Sequence, residues 1–475
     1  MGQDILHSQF SAEDVEHYQQ KLHEELAIVT NWHTNQQRIV DENSELKIGV
    51  ELEACLIDRE FMPDPRAATL LNQLKHPQIC PELANFNLEF NSTVHPLRHK
   101  AFANLHQELE QLLAYCQKQF NPAQICLHGI LPTLNQQHTQ LHNMAPLKRY
   151  QALNEQILLS RKGRELQLDI VGRDSLHLKQ KNVMLESVTT SMQLHLQLPF
   201  HKAPRYYHSA ILASAPLIAI AANSPFLFNK QLWHETRIPA FEQAIAAGGY
   251  NGAAFGPIKR AGFGEGYVKH SLLECFQENI AHYPVLLPDI QQTSARKLAH
   301  LLLHNGTIWR WNRPVIGFAP LRYHWRLEHR SLPSGPSLSD CIANAVFFYG
   351  LVQNLANSYT RYEQHIAFND AKANFYQLAK LGLGGKMIWM NKQTRSVKQL
   401  ILGEFLPMAR DGLAQLEIDQ QNIDYYLAII QARCESGQTG AAWQIQKQQE
   451  YANMQDLLAL YCENQNSGHP VHCWN

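Results

Sequence analysis

Residues Lys47–Ile57 read KIGVELEACLI, and this stretch decides the fold. Ile48, Val50, Leu52, Ala54 and Leu56 alternate with Gly49, Glu51, Glu53 and Cys55. A period of two marks a β-strand with one apolar face, because successive side chains point to opposite sides. The other face sets Glu51 beside Glu53, and adjacent carboxylates repel unless a cation or an arginine stands near them. Three further stretches repeat the pattern. In FNLEFN, Asn87, Glu89 and Asn91 share a face opposite Leu88 and Phe90. In SMQLHLQLP, Gln193, His195 and Gln197 oppose Met192, Leu194, Leu196 and Leu198. In HWRLEHR, Arg326, Glu328 and Arg330 align, with Trp325 and Leu327 behind them.

Taken singly, each row is what the solvated face of an antiparallel strand looks like. The set reads differently. Solvated faces favour Lys, Thr and Ser, and lysine is absent from all four strand cores. Carboxylates with one imidazole suit Mg²⁺ or Mn²⁺ better than zinc, which favours Cys and several His. Arg326 and Arg330 beside such a cluster suit neutralisation of a phosphoryl group in transfer. The constellation points to metal-assisted phosphoryl chemistry, and so to ATP.

Composition bounds the rest. At about 150 residues per domain, 475 residues allow roughly three domains or one large α+β unit. That length buries a core without disulfide or metal staples. Hydrophobic residues at 45% exclude disorder and collagen-like repeats. With 41 Lys+Arg against 42 Asp+Glu, the net charge of −1 argues against a nucleic-acid partner. The nine cysteines include no C-x-x-C pair, which predicts reduced thiols in a cytoplasmic protein. The N-terminus MGQDILHSQF lacks a signal pattern. The most apolar run, Ala210–Ala222, contains Pro216 and falls short of the ~17 residues a membrane span needs.

Ser11 and Asp14 form a capping box ahead of a helix through about residue 32. Helical periodicity also covers Phe102–Gln119, Ser209–Ala222 and Ser294–His304. Ser337 or Ser339 caps a long helix towards Tyr359, and the chain beyond Asn369 reads as mostly helical. Strands dominate the first two-thirds and helices the last, which predicts α+β.

Seven segments, in order, resemble the glutamate–cysteine ligase family of the second type, which includes the carboxylate–amine ligases. They are GVELEACLID (49–58), FNLEFNST (86–93), ICLHGILPTL (125–134), RYQALNEQI (149–157), SMQLHLQ (191–197), AANSPFLF (221–228) and WRLEHRSLPSGPSLSDCIANAV (325–346). The resemblance spans about Lys47 to Gly385. It implies a glutamine-synthetase-like fold, a curved antiparallel sheet whose concave face holds metals, with helices outside. It also implies that ATP phosphorylates a carboxylate and an amine then displaces phosphate, by default joining the γ-carboxyl of glutamate to cysteine. Glu51, Glu53, Glu89, His195 and Glu328 match the family's metal ligands. Arg330 matches the arginine that stabilises the transferring phosphoryl group, with Arg326 as a second catalytic candidate. Gln193 is the candidate nucleotide contact, and Arg237 in WHETR the candidate for the substrate carboxylate. A surface ion pair of Arg237 with Glu235 or Glu242 is the alternative for that residue.

The chain departs from the family in three places. Asn85 stands where the family often carries an acid, four residues before Glu89. FNKQLWHET replaces a Gly- and Thr-rich segment, and Lys380-Leu381-Gly382-Leu383 replaces Arg-Tyr-Gly-Leu. The expected layout is a helical extension (1–46), a catalytic region (47–385) and a helical C-terminal region packed on it (386–475). Expected ligands are ATP, Mg²⁺ or Mn²⁺ and small-molecule substrates. Two other readings compete: a kinase-like phosphoryl transfer, and a catalytically divergent nucleotide-binding regulatory or interaction protein. The loop Gly262–Gly266 lacks P-loop spacing and reads as a surface or lid loop. The tail His469–Cys473 reads as disordered. Trp309, Trp311 and Trp325 read as core, and Cys341 as packing.

Overall fold

A computed structural model describes residue 5 and residues 7–39, 45–247, 259–319 and 322–475. Eight strands form the main sheet: β1 (Lys47–Ile57), β2 (Ile79–Pro81), β3 (Asn87–Asn91), β4 (His95–Pro96), β5 (Gln124–Cys126), β6 (Ser191–Leu198), β7 (Asn312–Ala319) and β8 (Arg322–Pro333). Their order is β7-β8-β6-β1-β3-β2, with β4 and β5 pairing the two ends of β1. Every pairing in this sheet is antiparallel. The fold is thus α+β, a curled antiparallel sheet with helices on its outer face, as the resemblance implies.

The four strands read from parity are neighbours in this sheet. Glu53 stands across from Glu89, and Glu51 across from Gln193. His195 lies between Gly49 on one side and Glu328 on the other. Near its end β8 breaks register between His329 and Leu332, and the Arg330 amide turns to the Trp311 carbonyl. Such bulges re-aim side chains next to functional sites.

The apolar face is covered by helices. Ala203–Ala221 is apolar nearly all round and accordingly buried along most of its length. Leu338–Asn357 starts at the capping box of Ser337 with Asp340. Its Tyr349 hydroxyl donates to the His195 carbonyl at 2.9 Å, and Phe348 stacks on His329. Gly350 and Gly412 let this helix and Leu406–Gln415 touch at the backbone, since a Cβ on Gly412 would lie 1.9 Å from the Gly350 carbonyl oxygen.

The first helix, Ala12–Thr34, carries the expected Ser11–Asp14 box and docks through buried Glu25, which accepts from the Leu301 amide and lies 2.7 Å from His300 Nδ1. Core residues from Tyr18 to Trp474 belong to one apolar cluster.

Two expectations are corrected and a third is refined. The tail is ordered: Trp474 packs against Trp443 and Tyr461, and the Val471 amide donates to Asp340. The apolar surface of Trp474 outweighs the entropy usual at a chain's last residues. The Gly262 loop is no free lid, because Phe263 is buried against Phe375 and Gly262 pairs with Arg310. Lys386–Trp389 and Gln393–Ser396 form a hairpin in a region that is otherwise mostly helical, as expected. Asn391 at φ 57° and Lys392 at φ 57° supply the left-handed turn that propensity alone did not reveal.

All nine cysteines are free. Among the described residues, no helix is long and apolar enough to cross a membrane.

Candidate active site

The concave side of the sheet opens into a small cleft. Charged residues on its wall are Glu53, Glu82, Glu186, Arg237 and Arg330, and its apolar wall is Leu83, Phe241 and Trp311.

Glu53, Glu82 and Glu89 each offer a carboxylate oxygen within 4.8 Å of the others. Glu53 is held by the Ser191 amide at 2.6 Å and by Gln193 Nε2 at 3.0 Å. Glu89 accepts from Asn91 Nδ2 at 2.8 Å. Even so, burial and the neighbouring Glu89 carboxylate raise Glu53 to about 7. Burial and Glu53 raise Glu82 to about 7, and burial with Glu51 raises Glu89 well above the usual range.

A second group lies across β1, β6 and β8. His195 Nε2 is 3.1 Å from Glu51 Oε1, yet neither ring nitrogen has a hydrogen-bond partner of good geometry. Burial opposes ionisation of Glu51, but His195 beside it holds its carboxyl low. Glu328 accepts from Arg313 Nη2 at 2.9 Å and from Arg330 Nη1. Burial would raise Glu328, and the two guanidiniums reverse that and hold it well below the carboxylate range. The clustered oxygens of Glu53, Glu82 and Glu89, all with raised pKa values, form the donor set a hard divalent cation takes.

Arg237 is buried, not a surface residue. Its Nε donates to Glu235 at 3.0 Å and its Nη2 to the Ser331 carbonyl. Glu235 in turn accepts from the Asn223 amide and the Ser224 hydroxyl, both at 2.8 Å. The Asn-Ser-Pro segment therefore fixes the Arg237 side chain, which lines the cleft with Nη1 outside these bonds.

The structure thus gathers Glu51, Glu53, Glu89, Gln193, His195, Glu328 and Arg330 on one face. Gln193 braces Glu53. Arg326 lies farther along β8, opposite Gln197, and like Glu51, Glu89, Gln193, His195 and Glu328 it is not among the residues lining the cleft. Trp311 is both core and cleft wall.

Two acids were missed. Glu82 follows the short strand β2, whose Cys80 pairs with Glu89. Period two from Cys80 puts Glu82 on the Glu89 face, so recognising β2 would have found it. Glu186 sits in the 3-10 turn Val183–Val188, where no periodicity marks it. Burial and Glu53 raise it to about 8.

The chain belongs to glutamate–cysteine ligase family 2 (GCS2), whose sequence profile matches residues 47–459. Its structure is similar to a glutamate–cysteine ligase from Francisella tularensis solved in complex with AMP, at 13% identity and a TM-score of 0.55, over 89% of both chains. It is also similar to a bifunctional glutathione synthetase from Pasteurella multocida, at 12% identity and a TM-score of 0.51. That alignment covers 89% of this chain and 52% of the other. At these identities the likeness establishes the shared fold. No curated protein matches the sequence significantly. Family and fold together support a ligase of the carboxylate–amine type.

Proposed function

We propose that the protein is an ATP- and Mg²⁺-dependent ligase that joins an amino-acid carboxylate, by default the γ-carboxyl of glutamate, to an amine, by default cysteine. The observation that carries this reading is the register that sets Glu51, Glu53, Glu89, His195 and Glu328 around one concave face beside Arg330. Nine free cysteines agree with a reducing, cytoplasmic setting. We assign the chemistry to residues 47–385, since every candidate site residue falls there.

Glu53, Glu82 and Glu89 would hold one divalent cation; Glu51, His195 and Glu328 would hold a second only if Glu328 exchanged its contacts with Arg313 and Arg330. Such ions neutralise phosphate oxygens and orient ATP. Arg237 binds the substrate carboxylate that does not react, through its remaining Nη1. The reacting carboxylate oxygen attacks the γ-phosphorus and ADP leaves. Arg330 balances the charge spread over the transferring phosphoryl oxygens. The amine nitrogen then attacks the acyl carbon, the bond from carbon to the phosphate oxygen breaks, and inorganic phosphate departs with the proton the amine gives up. Enclosure between Phe241, Trp311 and Leu83 limits water at the acyl carbon, which protects the intermediate from hydrolysis.

Incubation with Mg·ATP, glutamate and a pool of amines tests the proposal. Amine-dependent phosphate release is expected, with mass spectrometry naming the product. Tight ATP binding without release under any amine sinks the ligase reading. It favours instead a divergent nucleotide-binding protein on this fold, to which the replaced FNKQLWHET and Lys380–Leu383 segments point.

A further inference from the structure

The reaction as proposed leaves one carboxylate on the cleft wall without a task. Glu186 offers no oxygen to the Glu53–Glu82–Glu89 cluster. Among the described residues, no hydrogen bond or ion pair joins its carboxylate to the protein. Its electrostatic neighbours are Glu53, which repels it, and Arg330 and Arg149, each of which attracts it less strongly.

The turn that carries Glu186 is fastened. Asn182 caps it through the Met184 amide at 3.0 Å, and Asn154 Oδ1 accepts from the Val183 amide at 3.0 Å. Asn87 Nδ2 donates to the Ser187 carbonyl at 2.8 Å, and Thr189 Oγ1 donates to the Glu186 carbonyl at 2.9 Å. A carboxylate on so fixed a support is held in the cleft rather than free to swing into water. The wall shared with it is aromatic. The Trp311 indole N–H is engaged by Glu242 at 2.9 Å, so Trp311 offers the cleft its ring system, beside Phe241. An unpaired carboxyl group near aromatic rings suits an organic cation, whose arrival favours the ionised form that burial and Glu53 oppose in the empty cleft.

We infer that Glu186, with Phe241 and Trp311, is a specificity site that binds an ammonium group of the substrate. This rests on the ligase reading for the identity of the substrates, but the site itself does not. The ammonium belongs either to the donor amino acid or to the acceptor amine, and the two sources are separable.

The test is ligand-detected saturation-transfer NMR on the full chain with four probes. Glutamate is compared with glutarate, and cysteine with 3-mercaptopropionate. Each pair differs by the ammonium group. The wild type is expected to prefer the amino member of one pair by roughly 10- to 100-fold in Kd, the range of a charged hydrogen bond. A preference in the first pair assigns Glu186 to the donor, and in the second to the acceptor. Glu186→Gln should abolish that preference, and Glu186→Asp, which keeps the charge, should retain part of it. The inference is overturned by equal affinity within both pairs, by no binding of either amino probe, or by a Glu186→Gln protein that keeps the preference. A Glu186→Gln protein that loses Mg²⁺ affinity instead also overturns it, by assigning Glu186 to the cations. Phosphate release is read separately: preference without turnover sinks the ligase reading and leaves the ammonium site standing.

Discussion

Raising the pH without divalent cations should destabilise the protein, and Mg²⁺ should reverse the effect. Glu53 and Glu82 are each raised from 4.5 to about 7 in the fold. A carboxyl with a raised folded pKa keeps its proton longer when folded than when unfolded. The stability it contributes is intact below about 4.5 and is lost as the pH rises through about 7. Glu51 and Glu328 are shifted the other way, so their contribution disappears only on the acid side, below about 4.5. At ~1.4 kcal/mol per pH unit, a displacement from 4.5 to about 7 is worth about 3 kcal/mol. Glu53 and Glu82 share one cluster and titrate as one system, so about 3 kcal/mol stands for the pair. At ~2.1 cal/mol/K per residue, 475 residues give an unfolding entropy of about 1 kcal/mol/K, and the Tm falls by about 3 °C. Melting curves by circular dichroism between pH 5 and 8.5, in chelator and in Mg²⁺, read this directly. The chelated Tm should fall across the window. Mg²⁺ should raise it far more at pH 8 than at pH 5.5, and its binding at pH 6.5 should release protons. A chelated Tm that stays flat or rises from pH 5.5 to 8 would refute the argument, as would equal Mg²⁺ stabilisation at both ends.

Three further outcomes follow from single contacts. Glu82→Gln should raise the Mg²⁺ concentration for half-maximal phosphate release by roughly 10- to 100-fold while leaving the fold intact, and an unchanged Mg²⁺ titration removes Glu82 from the ligand set. Arg237→Ala leaves Glu235 buried and unpaired, so denaturant unfolding should show a loss of about 3–5 kcal/mol; a loss under about 1 kcal/mol contradicts the buried pair. Gly335 has φ 79°, and a Cβ there would lie 2.2 Å from the Leu127 carbonyl oxygen. Gly335→Ala should therefore cost about 1–3 kcal/mol in the same assay, and a neutral result would show that the loop relaxes freely.

Strand parity carried much of the site. A sheet face repeats every two residues, so Glu51, Glu53, His195, Glu328 and Arg330 were visible once the strands were found. What parity does not encode is the partner strand. Glu53 opposite Glu89 is a fact of register, supplied by the fold. Glu82 escaped because a strand as short as Ile79–Pro81 leaves too little alternation to detect. Glu186 escaped because a 3-10 turn has no face period to read, and its position depends on contacts from Asn154 and Asn87, remote in sequence. Arg237 was named for its chemistry, but its burial depends on Glu235 being satisfied by Asn223 and Ser224. Arg326 shows the converse: it shares the Arg330 face of β8, but strand length carries it away from the cleft.

Glu328 is clasped by Arg313 and Arg330, so one carboxylate stands against two guanidiniums and the trio keeps an excess positive charge inside the protein. Loss of the acid would strand two buried guanidiniums, whereas loss of one arginine would leave a one-to-one pair. Arg330 carries that excess positive charge to the cleft wall, where an incoming phosphate would meet it.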